Sequence, residues 1–155
     1  MLGRAAPLWD SDGMPMVDLA DETFVVAALA DVARRLHDPQ LWRRWWPELE
    51  LTLFQDRGER GLRWTVTGRL VGSSEVWLEP WGDGTLLHCY LRADLTGPGS
   101  ATEVRCGRPA RLARLARAEG HRHGRHVKRC VNALKDELEA DRAPGMPRCS
   151  EAPVG

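Results

Sequence analysis

One tyrosine, two phenylalanines and only two lysines stand in a chain of 155 residues, and acidic and basic side chains balance to a formal net charge of zero. A neutral chain sets up no global field, which argues against nucleic acid or an anionic membrane as its general partner. The four cysteines (Cys89, Cys106, Cys130 and Cys149) are scattered without a CxxC pair. That excludes a zinc ribbon or dithiol redox motif and fits reduced thiols better than a disulfide framework. No apolar run approaches the roughly 20 residues that a membrane helix needs. The opening residues lack a charged-then-apolar signal pattern, so a soluble cytoplasmic protein is expected. P-loop, GxSxG and Cys/His elbow motifs are also missing, which removes the simplest nucleotide and nucleophile chemistries.

Against this background seven tryptophans are conspicuous. Three lie together in Leu41-Trp42-Arg43-Arg44-Trp45-Trp46-Pro47, between a short helical pattern and an alternating strand pattern. A tryptophan buries on the order of 200 Å² yet still needs an acceptor for its indole N–H. Three at one corner imply a large apolar wall, either a core wedge or the lining of an opening.

Charge is neutral only in sum. Residues 1–31 set six acids against Arg4, and residues 101–130 set eight arginines and Lys128 against Glu103 and Glu119. Arginine outnumbers lysine twenty to two, as a GC-rich coding bias would produce.

Residues 1–15 are expected to be a flexible leader, 16–140 a single domain, and 141–155 a flexible tail. A first strand is expected within Met16–Ala28, centred on Thr23-Phe24-Val25-Val26. Leu29–His37 carries apolar residues at helical spacing. Asp38 then caps a second short helix that has Pro39 at its first position. Leu49–Leu53 alternates, Arg57–Gly61 is a turn, and Leu62, Trp64, Val66 and Leu70 recur at even positions. Trp81-Gly82-Asp83-Gly84 signals a hairpin. Leu87, Cys89, Leu91 and Ala93 then share one strand face, opposite His88, Tyr90 and Arg92. Ser100–Arg105 looks like a linker. From Pro109 onward a long helix is expected, with Val127, Val131, Leu134 and Leu138 as its buried stripe. Projection at 100° per residue adds Ala113, Ala116, Gly120 and His123 to that stripe and places Arg111, Arg114, Arg122, Arg125 and Arg129 opposite.

The order of elements resembles the START-like superfamily, also called SRPBCC, which includes polyketide cyclases, Bet v 1-type allergens and lipid-transfer domains. Asp38-Pro39-Gln40-Leu41-Trp42-Arg43-Arg44-Trp45-Trp46-Pro47 is similar to that family's second helix. Val76-Trp77-Leu78-Glu79-Pro80-Trp81-Gly82-Asp83-Gly84-Thr85 resembles its Y-x-L-E-P-x-G-D-G-T hairpin, and His126–Leu138 the end of its closing helix. The resemblance implies an α+β helix-grip fold: a curved antiparallel sheet of about five to seven strands on a long C-terminal helix, with two short helices after the first strand. Only four strands fit between Leu49 and Leu95, so five in all are expected and the cavity should be narrow.

What the fold implies is a small hydrophobic ligand, lipid or polyketide-like, held between sheet and helix. The candidate lining is Trp45, Trp46, Trp64, Val66, Leu87, Cys89, Leu91, Gly120, His123 and Val127. Each has a plainer reading as core. His123 is the candidate polar handle or acid–base group, and equally a satisfied core histidine. Gly120 and Gly124 would serve close packing, a kink or ligand space. A cyclase-like enzyme and a non-catalytic interaction module remain as alternatives, the latter through outward Trp77 and Tyr90, with a second copy of the chain as candidate partner. His123 and His126 suggest a metal, but no adjacent cysteine or carboxylate completes a set, so no metal and no cofactor is expected. No catalytic residue is assigned. The arginine face reads as solvated, without a nucleic-acid motif.

Overall fold

The computed structural model describes residues 13–140, so Trp9, Cys149, the expected tail and most of the expected leader lie outside the described residues. β1 (Val17–Val25) pairs its β-branched and aromatic run with the last strand. α1 (Leu29–Leu36) buries Val32, Ala33 and Leu36 on one face. It stops at His37, whose Nδ1 donates to the Ala33 carbonyl at 2.7 Å. Asp38 caps α2 (Pro39–Trp45) as expected, its Oδ1 accepting from the Gln40 N–H at 2.9 Å. Trp46, Pro47 and Glu48 turn the chain into the sheet, with Glu48 in the left-handed region at φ 68°.

The meander follows as β2 (Leu49–Asp56), a 3-10 turn (Gly58–Arg60), β3 (Gly61–Gly68), β4 (Leu70–Trp81) and β5 (Gly84–Leu95). Gly61 is required where it stands: its φ is 130°, and a Cβ there would meet the Val76 carbonyl oxygen at 1.9 Å. β4 and β5 join through Gly82-Asp83, with Trp81 opposite Gly84. The five strands are antiparallel in the order β1-β5-β4-β3-β2, which leaves β1 and β2 as edges. α3 (Pro109–Leu138) closes the fold, lying chiefly across β1 with a smaller contact on β5. The α+β helix-grip architecture is therefore present in its five-stranded form.

Alternation delivers one core between sheet and helices. Leu62, Trp64 and Val66 of β3, Val76 and Leu78 of β4, and Leu87, Cys89, Leu91 and Ala93 of β5 are all buried. From α3 come Ala116, His123, Val127, Val131 and Leu134, while Leu138 packs against the core in part. Ala113, expected in the buried stripe, is exposed and lines a surface groove with Met16, while Leu112 and Leu115 of the same turns pack in part against the core. The stretch expected as a linker is pinned instead. The Arg105 N–H donates to the Leu95 carbonyl at 2.7 Å, and the Gly68 N–H to that of Ala101 at 3.0 Å.

Candidate functional site

The register draws a continuous row across the inner face of the sheet. Leu53, Trp64, Ser74, Leu91 and Leu19 lie side by side from β2 to β1. At one end Leu19 lies under Gly120 and Gly124, its Cδ2 3.8 Å from where a Cβ on either would stand. At the other end Leu53 is 41% exposed although it shares a face with fully buried Trp64. The helix grips one half of the sheet and leaves the other to α2.

Tryptophans from α2 and its corner occupy that second half. Trp45, Trp46 and Trp64 are buried in one cluster with Val66 and Leu49. The Trp42 and Trp64 rings meet with centroids 5.1 Å apart and planes tilted by 41°. The indole N–H groups of Trp42, Trp45 and Trp64 are all buried without an acceptor among the described residues. A buried donor left unpaired costs about 1–3 kcal/mol, and native structures contain few such groups. Arg35 Nε is the other such buried group among the described residues, and of the three tryptophans Trp42 and Trp64 are in direct ring contact. Two surface cavities, of about 380 Å³ and 460 Å³, are lined by none of these rings.

Beside the cluster stands a charged network that the sequence reading missed. Glu119, buried on α3 one turn before His123, accepts from Arg69 through Oε1 and from Arg122 through Oε2 at 2.8 Å. Glu48 Oε2 completes a ring, 2.7 Å from Arg122 Nη1 and 3.8 Å from Arg69 Nε. His123 Nε2 lies 3.3 Å from Glu119 Oε2 and 3.4 Å from Arg122 Nη2. The imidazole therefore has the carboxylate neighbour that sequence inspection failed to find; the Glu119/His123 spacing of four residues was the available signal. Burial raises the Glu119 pKa, but hydrogen bonds from Arg122 and Arg69 outweigh it and hold the carboxyl below its usual range. For His123, burial and then the Arg122 charge outweigh Glu119 and keep the ring neutral below its ordinary value.

The remaining candidates separate. Val66, Leu87, Cys89, Leu91 and Val127 are buried in the common core, and burial raises the Cys89 thiol far above its ordinary range, leaving it unreactive. Gly120 is half-buried. His126 points to α2, its Nε2 donating to the Arg44 carbonyl at 2.7 Å. Among the described residues no group of three or more His, Cys, Asp or Glu side chains could hold a metal ion.

On the outer face Trp77 and Tyr90 point away from the core, as expected, and are half-buried. Arg57 lies over the Trp77 ring at 5.4 Å, and His88 stacks on Tyr90 with planes 3° apart. His88 itself sits between Glu22 at 3.3 Å and Glu79 at 3.5 Å. Arginine and imidazole cover the aromatic surface, so the more exposed large apolar residues are Met14, Leu53, Phe54, Trp81 and Val104. Among the described residues no helix is long and apolar enough to cross a membrane.

No family model matches the chain, and no curated protein matches it. Solved structures do. The protein DR_A0006 from Deinococcus radiodurans aligns at 10% identity and TM-score 0.53, covering 79% of this chain and 98% of that one. The Aha1 dimer from Colwellia psychrerythraea aligns at 12% identity and TM-score 0.52, covering 83% and 100%. A START superfamily protein from Mycobacterium smegmatis, at 14% identity, TM-score 0.44 and coverage of 78% and 98%, is too loose a match to carry an argument. At such identities the likeness shows the fold alone. Element order, antiparallel sheet and closing helix together give this chain an α+β helix-grip fold, shared with these solved structures and built here on five strands.

Proposed function

We propose that this domain binds a small, largely apolar molecule carrying hydrogen-bond acceptors, held between α2 and the β2–β3 end of the inner sheet face. The observation that carries the reading is the set of three unpaired indole donors on Trp42, Trp45 and Trp64. The Trp42 and Trp64 rings, tilted by 41°, are flat and apolar, and their N–H groups would reward a ligand with carbonyl, ether or hydroxyl oxygens. Leu53, apolar and open to solvent beside Trp64, marks the side from which such a molecule would reach the rings. A catalytic reading draws on a different observation, the buried Glu119–His123 pair, which could move a proton at the inner end of the same cluster.

The test is native mass spectrometry of gently purified protein together with tryptophan fluorescence against a panel of flat ketones and esters. Binding should appear as a co-purifying mass or a saturable fluorescence change. The Trp42→Phe/Trp64→Phe double variant, which keeps the rings but removes two donors, should weaken binding about tenfold or more. A wild-type chain that carries nothing and responds to no panel member sinks the proposal. Affinity unchanged in the double variant would do the same for the donor role.

A further inference from the structure

We propose that the cavity between Arg69 and Arg105 is a second binding site, for a small organic oxyanion: a carboxylate or phosphate monoester with a short apolar body. The cavity measures about 380 Å³, within the range of small-molecule sites. Its walls come from the β3–β4 turn, the loop after β5, and α3 at Leu115 and Glu119. These walls are fixed to one another. Thr96 Oγ1 lies 2.7 Å from the Gly68 carbonyl oxygen and 2.9 Å from that of Arg69, tying the loop after β5 to the turn.

Charge decides the class of ligand. Arg105 and Arg69, which also has Glu48 Oε2 3.8 Å from its Nε, line the cavity with one carboxylate, Glu119. That carboxylate is already engaged by Arg69 and Arg122. Arg105 is half-buried, its backbone is held to Leu95, and among the described residues its side chain pairs with no carboxylate. A guanidinium presents a planar fork of donors that matches the two oxygens of a carboxylate or phosphate. Leu95, Pro98 and Leu115 supply apolar surface for the rest of the molecule. Room is present too: no atom lies within 4 Å of where a Cβ would stand on Gly97. No tryptophan lines this cavity, so the site stands or falls independently of the aromatic cluster.

The experiment is calorimetric titration of the full chain with sodium benzoate, phenyl phosphate, inorganic phosphate and benzyl alcohol. Benzoate or phenyl phosphate should bind, and whichever binds more tightly identifies the head group. Benzyl alcohol, the neutral counterpart, should not bind. Arg105→Ala should weaken binding about ten- to a hundredfold, the loss expected for charge-assisted hydrogen bonds. Arg105→Lys should recover part of it, and Gly97→Val should weaken binding by narrowing the cavity. No binding of either organic anion overturns the proposal. So does binding that survives both Arg105→Ala and Gly97→Val, or benzyl alcohol binding as well as benzoate.

Discussion

The rings of Trp46 and His123 meet with centroids 6.0 Å apart and planes inclined by 56°. This contact joins the aromatic corner after α2 to the buried face of α3, and it couples a fluorophore to a titratable group. Burial first, and the Arg122 charge second, lower the His123 pKa below 6.5, against the opposing pull of Glu119 and Glu48. In the acid range the unfolded chain takes up a proton that the folded one refuses. Stability is therefore expected to be intact above pH 6.5 and to fall as pH drops from there through the folded pKa of His123. Urea midpoints across that range should show the slope, and His123→Gln should flatten it. An unchanged slope in the variant would remove His123 as its source.

His37 should bend the curve the other way. Its bond to the Ala33 carbonyl, then its contact with Asp56 at 3.0 Å, raise its pKa above 6.5. That contribution is complete below 6.5 and lost as pH rises through the folded value. Stability measured from neutral to mildly alkaline pH should decline, and His37→Ala should abolish that decline. The two histidines thus contribute slopes of opposite sign, His123 on the acid side of 6.5 and His37 on the alkaline side.

Gly120 and Gly124 sit in the middle of α3, where a Cβ would meet Leu19 Cδ2 at 3.8 Å, an ordinary contact distance. Packing leaves room for alanine at both places. Each Gly→Ala change should raise stability by about 0.5–1 kcal/mol through helix propensity and a less flexible unfolded chain. Thermal or chemical denaturation reads this directly, and a loss of stability would mean that the helix needs its glycines for closer approach to β1.

Trp64 separates volume from hydrogen bonding. Its ring is 1% exposed and its N–H has no acceptor among the described residues. Trp64→Phe keeps an aromatic ring and removes the unpaired donor, so its cost should stay within about 1.5 kcal/mol. Trp64→Ala empties the site and should cost about 3–5 kcal/mol. Equal losses in the two variants would show that the indole N–H finds a partner in solution.

Local chemistry made much of this fold legible. The Asp38 cap, Pro39 at the first helical position, the Trp81–Gly84 hairpin and the even-position apolar series from Leu62 each rest on residues close in sequence. Glu119 did not yield to the same reasoning. It lies on the flank of the helical stripe, and its burial depends on Arg69, 50 residues earlier, folding over it from the β3–β4 turn. The cover over Trp77 was hidden for a similar reason, because Arg57 reaches the ring only across the turn closed by Gly61. Strand alternation assigned both side chains a direction, but not the charged partner that would arrive there.

The strand order has a consequence in time. Among the described strands β1 pairs only with β5, from Val25 opposite Thr85 to Val17 opposite Ala93, so during synthesis it waits for about 60 further residues before that neighbour exists. At about 5–20 residues per second that wait lasts several seconds. Meanwhile β2 to β5 can pair in succession through short local turns, whereas closure of β1 onto β5 joins residues 60 or more apart and is slow for that reason. The apolar end of β1, Thr23-Phe24-Val25, is thus open to wrong pairing during synthesis. Asp18, Asp21 and Glu22, spaced along the strand just ahead of it, are placed to keep that edge soluble until its partner arrives.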